Sequence, residues 1–512
     1  MYRYAITLLI FSFLLTAPAW GANKYWVGGT GTWNASATTN WSDSDGGSAG
    51  ATAPSSSDTA NVTTRSGDGT ITIASGAVAN SLIVNWTTVK TNAISLSANF
   101  TIAGTLTLNG NSTINRILVR SSVLGTPRTI TTSGATVTAT NTDFRDIALS
   151  VTKDLSAQTD IGDAGGNSGI TFPASTTQTL TGNTANWSTA SWTSRVPLPQ
   201  DAVVISLTAG QTLTADMPRL GRNISFTTAT NFTLGNAVTS YGSLDFTGAG
   251  TFGGSYGWTF ESGVRTGTIY LTSGSKTFVN NTVTIQPVGA TLQLADNFSN
   301  GTNTISFLAG TFDSNGYSVA TSRTPTSGFA TGATVIMGNS TWTLSQSGAT
   351  TSWVSPLGTL DAGTSTIVLL ASSTAARTFD GGGKNYNNIV VNTGAYGQTI
   401  TGANTFNTIT VNKPKTITFP ASTITTVNHF VADGDGSNQI TINSSTGGTP
   451  ATLRSTSSNA LTYVTLQDIN ATGGTWKCLT GCNNTSGNTG VNFTWTDRAR
   501  TNNARLNNYK KF

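Results

Sequence analysis

Short runs that alternate apolar with hydroxyl or amide side chains return along almost the whole chain, and Gly, Asn or Ser closes each one off. GTITIAS (69–75), NSLIVNW (80–86), GTLTLNG (104–110), TITTSGATVTAT (129–140), RNISF (222–226) and NTISFLAG (303–310) belong to this series. So do STIVLLA (365–371), NNIVVN (387–392), NTITVN (407–412) and NQITIN (438–443). A period of two puts one side chain inward and the next outward, which is a half-buried strand. The runs are commonly spaced by about 20 to 25 residues, the length of one coil of a β-solenoid. Some 450 residues at that length make roughly 20 coils. A β-sandwich also alternates, but it needs hairpin turns every 8–12 residues or so and has no long-range unit repeat. Composition agrees with strands. Charged residues are 9%, Glu occurs once (Glu261), and Thr, Val and Ile outnumber the strong helix formers. The 37% hydrophobic content and the regular alternation argue against disorder. The expected class is all-β, a parallel β-helix (β-solenoid).

Larger repeats divide the chain into two consecutive units. A tryptophan-rich head spans 24–62, with Trp26, Trp33 and Trp41, and ends in Pro54-x-x-x-Asp58. It returns in shorter form at 184–205, with Trp187, Trp192 and Pro197-x-x-x-Asp201. A closing module occurs at 121–172 and again at 444–493. Each copy has Ser-Ser-x-x-Gly-Thr-Pro, then Asp146-Ile147 or Asp468-Ile469, then GNSGITF (166–172) or GNTGVNF (487–493). Unit A is therefore expected at 24–172 and unit B at 184–493, with extra coils inserted between the head and close of unit B.

With these motifs the chain resembles secreted bacterial β-strand-repeat proteins, similar to autotransporter passenger domains and other surface β-helices. The run TFDGGGKNYNNIVVN (378–392) fits the same group. The resemblance implies an adhesive or structural surface role. An autotransporter also carries a C-terminal barrel of alternating strands. This sequence has no such segment, and it ends in a basic tail at 494–512.

Several residues invite chemistry. The five head tryptophans can offer stacking faces to glycans, or they can cap the open end of a coil stack. Asp433 and Asp435, in a Gly-rich turn, can offer oxygens to Ca²⁺, as can Asp43-x-Asp45 and Asp160-x-x-Asp163; solvated turns are the default reading of all three. No other cofactor is implied. Cys478 and Cys482, the only cysteines, are placed for a local disulfide. The single histidine, His429, has no Ser or Cys motif beside it. Asn141-Thr142-Asp143 matches a motif of the β-helical polygalacturonases, but the nearby Asp pair, Gly-His-Gly and Arg-x-Lys of that family are missing. Asp146 and Asp468 read as turn or capping acceptors. Thr-x-Thr runs evoke an ice-binding face, yet irregular coil lengths argue that the threonines do not align.

Residues 1–21 read as a signal peptide, with Arg3 ahead of an apolar run too short to span a membrane. The expected location is secreted, extracellular or cell-surface. The net charge is +5, but 497–512 holds four of those charges and Arg3 the fifth. A neutral body gives no basic face for nucleic acid. The expected function is a non-enzymatic extracellular solenoid for adhesion or surface structure, with glycans or an anionic surface as partner. A carbohydrate-active β-helix (a polysaccharide lyase or hydrolase) and a phage-fibre-like protein are the alternatives. The tail is either a solvated end or an electrostatic tether. If it is a tether, deleting 497–512 leaves folding unchanged and abolishes salt-sensitive binding to anionic vesicles; equal binding by the truncated protein makes it only an end.

Overall fold

The computed structural model describes residues 21–36, 38–278, 282–324, 329–345, 351–354, 356–370, 376–392, 396–412 and 415–493. The leader up to residue 20 and the basic tail 494–512 lie outside the described residues. Every regular element within them is a strand, and nearly every pairing is parallel. The chain is a β-solenoid of about 18 turns, a little fewer than the spacing suggested. It divides into two compact units, 1–161 with 167–172, and 162–166 with 173–512.

In the first unit each turn carries up to three strands. One sheet stacks Asn23–Trp26, Thr59–Val62, Ser81–Asn85, Thr105–Asn109 and Thr136–Thr140 in that order. The backbone bonds of a parallel strand all go to the turns before and after it, so equivalent residues of successive turns lie on top of one another. Inward columns are apolar: Leu82 sits on Ala60 and under Leu106, Val84 on Val62 and under Leu108. The second unit repeats this with two nine-stranded sheets. One runs from Thr177–Gly182 to Thr359–Asp361, the other from Phe298–Ser299 to Ile469–Thr472. In the latter, Ile367, Ile389, Ile409 and Phe430 form one inward column.

Strands fix the register and corners absorb the differences in length. Paired residues on successive turns are 18 apart at Thr452 and Asn470 but 31 apart at Thr107 and Thr138. This corrects the expectation that irregular coils scatter the threonines. Thr268, Thr291, Thr311, Thr334 and Thr359 form an unbroken outward column. Glycine makes the tight corners that keep the turns stacked. At Gly310 (φ 70°) a Cβ would lie 2.2 Å from Pro287 O.

The core of the second unit is more aromatic than the strand pattern implies. Phe307, Phe329, Trp342, Trp353, Phe379, Tyr386 and Phe406 make successive ring contacts with centroids 5.0–6.1 Å apart. Tyr386 is the polar member. Its hydroxyl donates to Gly381 O (2.9 Å) and accepts from Trp353 Nε1 (3.0 Å). Burial raises its pKa far above the usual phenol range, so the group stays neutral. Tyr386→Phe strands a buried indole N–H and a carbonyl together. A loss of about 1–2 kcal/mol is expected in chemical denaturation followed by tryptophan fluorescence.

Candidate functional site

The repeated heads are structural knots at the first turn of each unit. Asp58 accepts Ser55 N–H at 2.7 Å and reaches back to Ala22 N–H, also at 2.7 Å. Asp201 accepts Leu198 N–H at 3.0 Å and Thr176 N–H at 2.9 Å. Each Asp carbonyl then receives an amide of the following turn, from Asn80 and Arg222 respectively. The Pro-x-x-x-Asp motif thus ties a strand, its own turn and the next turn together. The match also places the first strand of the second head at Thr177–Gly182, ahead of the 184 boundary read from the tryptophans. Leu180 occupies the place of Trp26, which hid the strand: Trp26 pairs antiparallel with Trp41, and Leu180 with Trp192.

These pairings fold the tryptophans over the end of each stack. Trp26, Trp33, Trp41 and Trp187 are at most 1% exposed and Trp192 is 9% exposed. Trp41 packs edge-on against Trp26 and Trp33 at 5.3 and 5.0 Å, and Trp187 packs at a tilt against Trp192 at 4.8 Å. This corrects the stacking-platform expectation. None of the five offers an open ring face to a pyranose, because the terminal apolar column needs the cover more.

The closing modules are knots of a second kind. Asp146 (φ 55°) and Asp468 (φ 54°) are left-handed, and their Oδ2 atoms accept Gly125 N–H and Gly448 N–H. Asn167 Oδ1 accepts Ile147 N–H while its Nδ2 donates to Phe144 O, both at 2.9 Å. Asn488 does the same with Ile469 N–H at 2.9 Å and Leu466 O at 2.8 Å. Beside Asp146, Asp143 is fully buried and paired with Arg116 Nε at 2.9 Å. Cys478 and Cys482 are joined in a disulfide.

Asp433 and Asp435 are not brought together with other acids. Asp433 accepts the Thr462 hydroxyl at 3.0 Å, and Asp435 Oδ1 accepts Ser437 and Asn438 amides of its own turn, both at 2.9 Å. Among the described residues no cluster of three His, Cys, Asp or Glu side chains could hold a metal ion. His429 is exposed on its strand beside Thr408. Among the described residues no helix is long and apolar enough to cross a membrane.

What the solenoid presents to solvent is its outward columns. On the Phe298 sheet, Thr277, Ser299, Ala320, Thr343, Val368, Val390, Thr410 and Val431 follow one another in register. Two residues along each strand, about 7 Å away, runs a second column with Thr341, Thr366, Asn388, Thr408 and His429. Neither column holds a Lys, Arg, Asp or Glu. At its start this face opens into a recess of about 330 Å³. On the Thr177 sheet the threonine column floors an open groove of about 560 Å³. Beside it stand Tyr270, 48% exposed, then Gln293, Asp313, Ile336 and Asp361.

The fold and its ladders define a parallel β-solenoid. No protein-family model, no curated protein and no solved structure matches the chain.

The head knot is acid-sensitive. Burial pushes the Asp58 carboxyl up, but hydrogen bonds from Ser55 and Ala22 and the charge of Lys24 outweigh it and hold the group below its ordinary 3.8. A depressed carboxyl stabilises the fold above its unfolded pKa, and that contribution is lost as pH falls through the folded value. Asp58→Asn is expected to cost about 1–3 kcal/mol at pH 7. The gap from wild type closes as pH drops below about 4, as measured by urea melts at both pH values.

Proposed function

We propose that the chain is a non-enzymatic extracellular β-solenoid that attaches to glycan-bearing surfaces through the outward face of the Phe298 sheet. The observation that carries this reading is the pair of uncharged, in-register columns centred on Thr366 and Val390. Such a face has β-branched methyl groups for apolar contact and Thr and Asn groups for hydrogen bonds. They repeat at the turn spacing of about 4.8 Å, so one contact geometry recurs along an extended polymer. Ordered, uncharged side chains also lose little entropy on binding. The signal-like leader and the resemblance to autotransporter passenger domains favour an extracellular place. The engagement of Asp58, Asp143, Asp146, Asp201 and Asp468 in structural knots favours a scaffold over an enzyme.

A second reading, a carbohydrate-active β-helix, is favoured by the Thr177 sheet. There Asp313 and Asp361 lie in one outward column two turns apart. That is about 10 Å along the stack, near the separation of an inverting carboxylate pair. Asp313 is, however, bonded to Gln293 Nε2 at 2.8 Å.

A double variant, Thr366→Lys with Val390→Lys, sets two charges on the proposed face at half-buried outward positions. It is expected to keep its circular dichroism and its melt while losing at least about tenfold in binding on a glycan array. Unchanged binding overturns the assignment of this face. Degradation of a polysaccharide by the wild type, lost in Asp313→Asn, establishes the second reading instead.

A further inference from the structure

The recess at the start of the same face is built around a lysine. Ser273 to Lys276 form a turn closed by Lys276 N–H on Ser273 O at 3.0 Å, with Gly274 (φ 58°) and Ser275 (φ 63°) both left-handed. Two left-handed residues in succession make a type I′ turn, and Ser275 lacks the freedom of a glycine there. Position 274 must be glycine, since a Cβ would lie 2.5 Å from Phe246 O. The turn is held from the next coil by Asp296. Its Oδ1 accepts Ser273 N–H at 2.7 Å, and its Oδ2 accepts Gly274 N–H at 2.7 Å and the Ser273 hydroxyl at 3.1 Å.

Asp296 lines the recess, yet its oxygens are turned to the backbone and already carry three donors. Lys276 lines the recess half-buried, and its ammonium makes no ion pair or hydrogen bond among the described residues. Ser299, Ser318, Thr343 and Asn297 line the same recess. Ser299 and Thr343 belong to the first outward column of the Phe298 sheet, and Asn297 and Ser318, joined by a 2.9 Å hydrogen bond, stand one residue ahead of their strands, so the recess is continuous with the proposed face. A concave site with a cation unpaired among the described residues, beside neutral polar groups and the apolar Phe298, Val319 and Ala320, suits an anion carried on a frame with both hydroxyl and apolar faces.

We propose that this recess is a specificity subsite for a carboxylate-bearing sugar residue of an acidic polysaccharide, with Lys276 meeting the carboxylate. The inference rests on the glycan-binding reading above and adds the substrate class. The face supplies contacts that are blind to charge, and the recess supplies the one that is not. The Asp296 turn is a positioning device that keeps Lys276 over the recess.

The test uses the full chain and two polymers, polygalacturonate and its carboxyl-reduced neutral counterpart, by isothermal titration at low and high salt. The wild type is expected to favour the acidic polymer by about five- to tenfold at low salt, with the preference shrinking as salt rises. Lys276→Gln is expected to remove the preference and leave binding to the neutral polymer unchanged. Lys276→Arg should restore it. The subsite is overturned if Lys276→Gln keeps the preference or if the wild type shows none while still binding the neutral polymer; the glycan-binding face then stands without it. If the wild type binds neither polymer, both inferences fall for this ligand class. Equal loss of both polymers in Lys276→Gln marks a structural role and also overturns it.

Discussion

Everything in this protein depends on the parallel backbone ladder between successive turns. A parallel strand has no hairpin partner, so its amides and carbonyls are satisfied only by the turns above and below. That requirement forces equivalent positions into columns, and the columns then determine the chemistry of both surfaces. Inward columns collect Leu, Ile, Val and the aromatic rings. Outward columns collect mostly Thr, Ser and Asn, which tolerate a neighbour of their own kind at strand spacing better than charged residues do.

A ladder of this kind has a cost at its ends, where the first and last strands leave one edge and one apolar column open. The molecule answers with duplicated knots. At the head, an Asp gathers amides from three successive segments, and tryptophans fold over the core by a short antiparallel pairing. At the close, a left-handed Asp holds the corner, and an asparagine from the next turn clamps that corner by taking the amide just after the Asp and the carbonyl two residues before it. In both units the acids of the heads and closes serve the backbone. The recess at Lys276 uses the same device, with Asp296 gathering amides of a neighbouring turn, and there it leaves a cation unpaired among the described residues.

The division of labour between strand and corner explains how function can be carried by such an irregular repeat. Coil length varies widely, and most of the variation is taken up at corners by glycine and left-handed residues. Among the described residues, the strands keep register except at bulges in four pairings, the largest between Ala148 and Lys153. A surface pattern is therefore preserved over many turns even where the sequence repeat is hard to see. The uncharged face through Val390 and the threonine column through Thr311 are both products of that arrangement.

The sequence alone determined the class, and it displayed the repeated motifs that the structure places at corners and turns. Period-two runs such as TITI and LTLN can only be half-buried strands, and the paired Pro-x-x-x-Asp and Gly-Asn-x-Gly motifs marked the two heads and closes because identical backbone geometry demands identical side chains. It could not decide which way the tryptophans face, since an aromatic that caps a core and one that stacks on a sugar look alike until burial is known. It hid the first strand of the second head, where Leu180 does the work that Trp26 does in the first. It gave no access to the outward columns either, because register between turns depends on how far each corner loops out. Lys276, Asn297, Ser318 and Thr343 are scattered along the chain and become neighbours only when the ladder closes, so the recess they line is a decision of the tertiary structure.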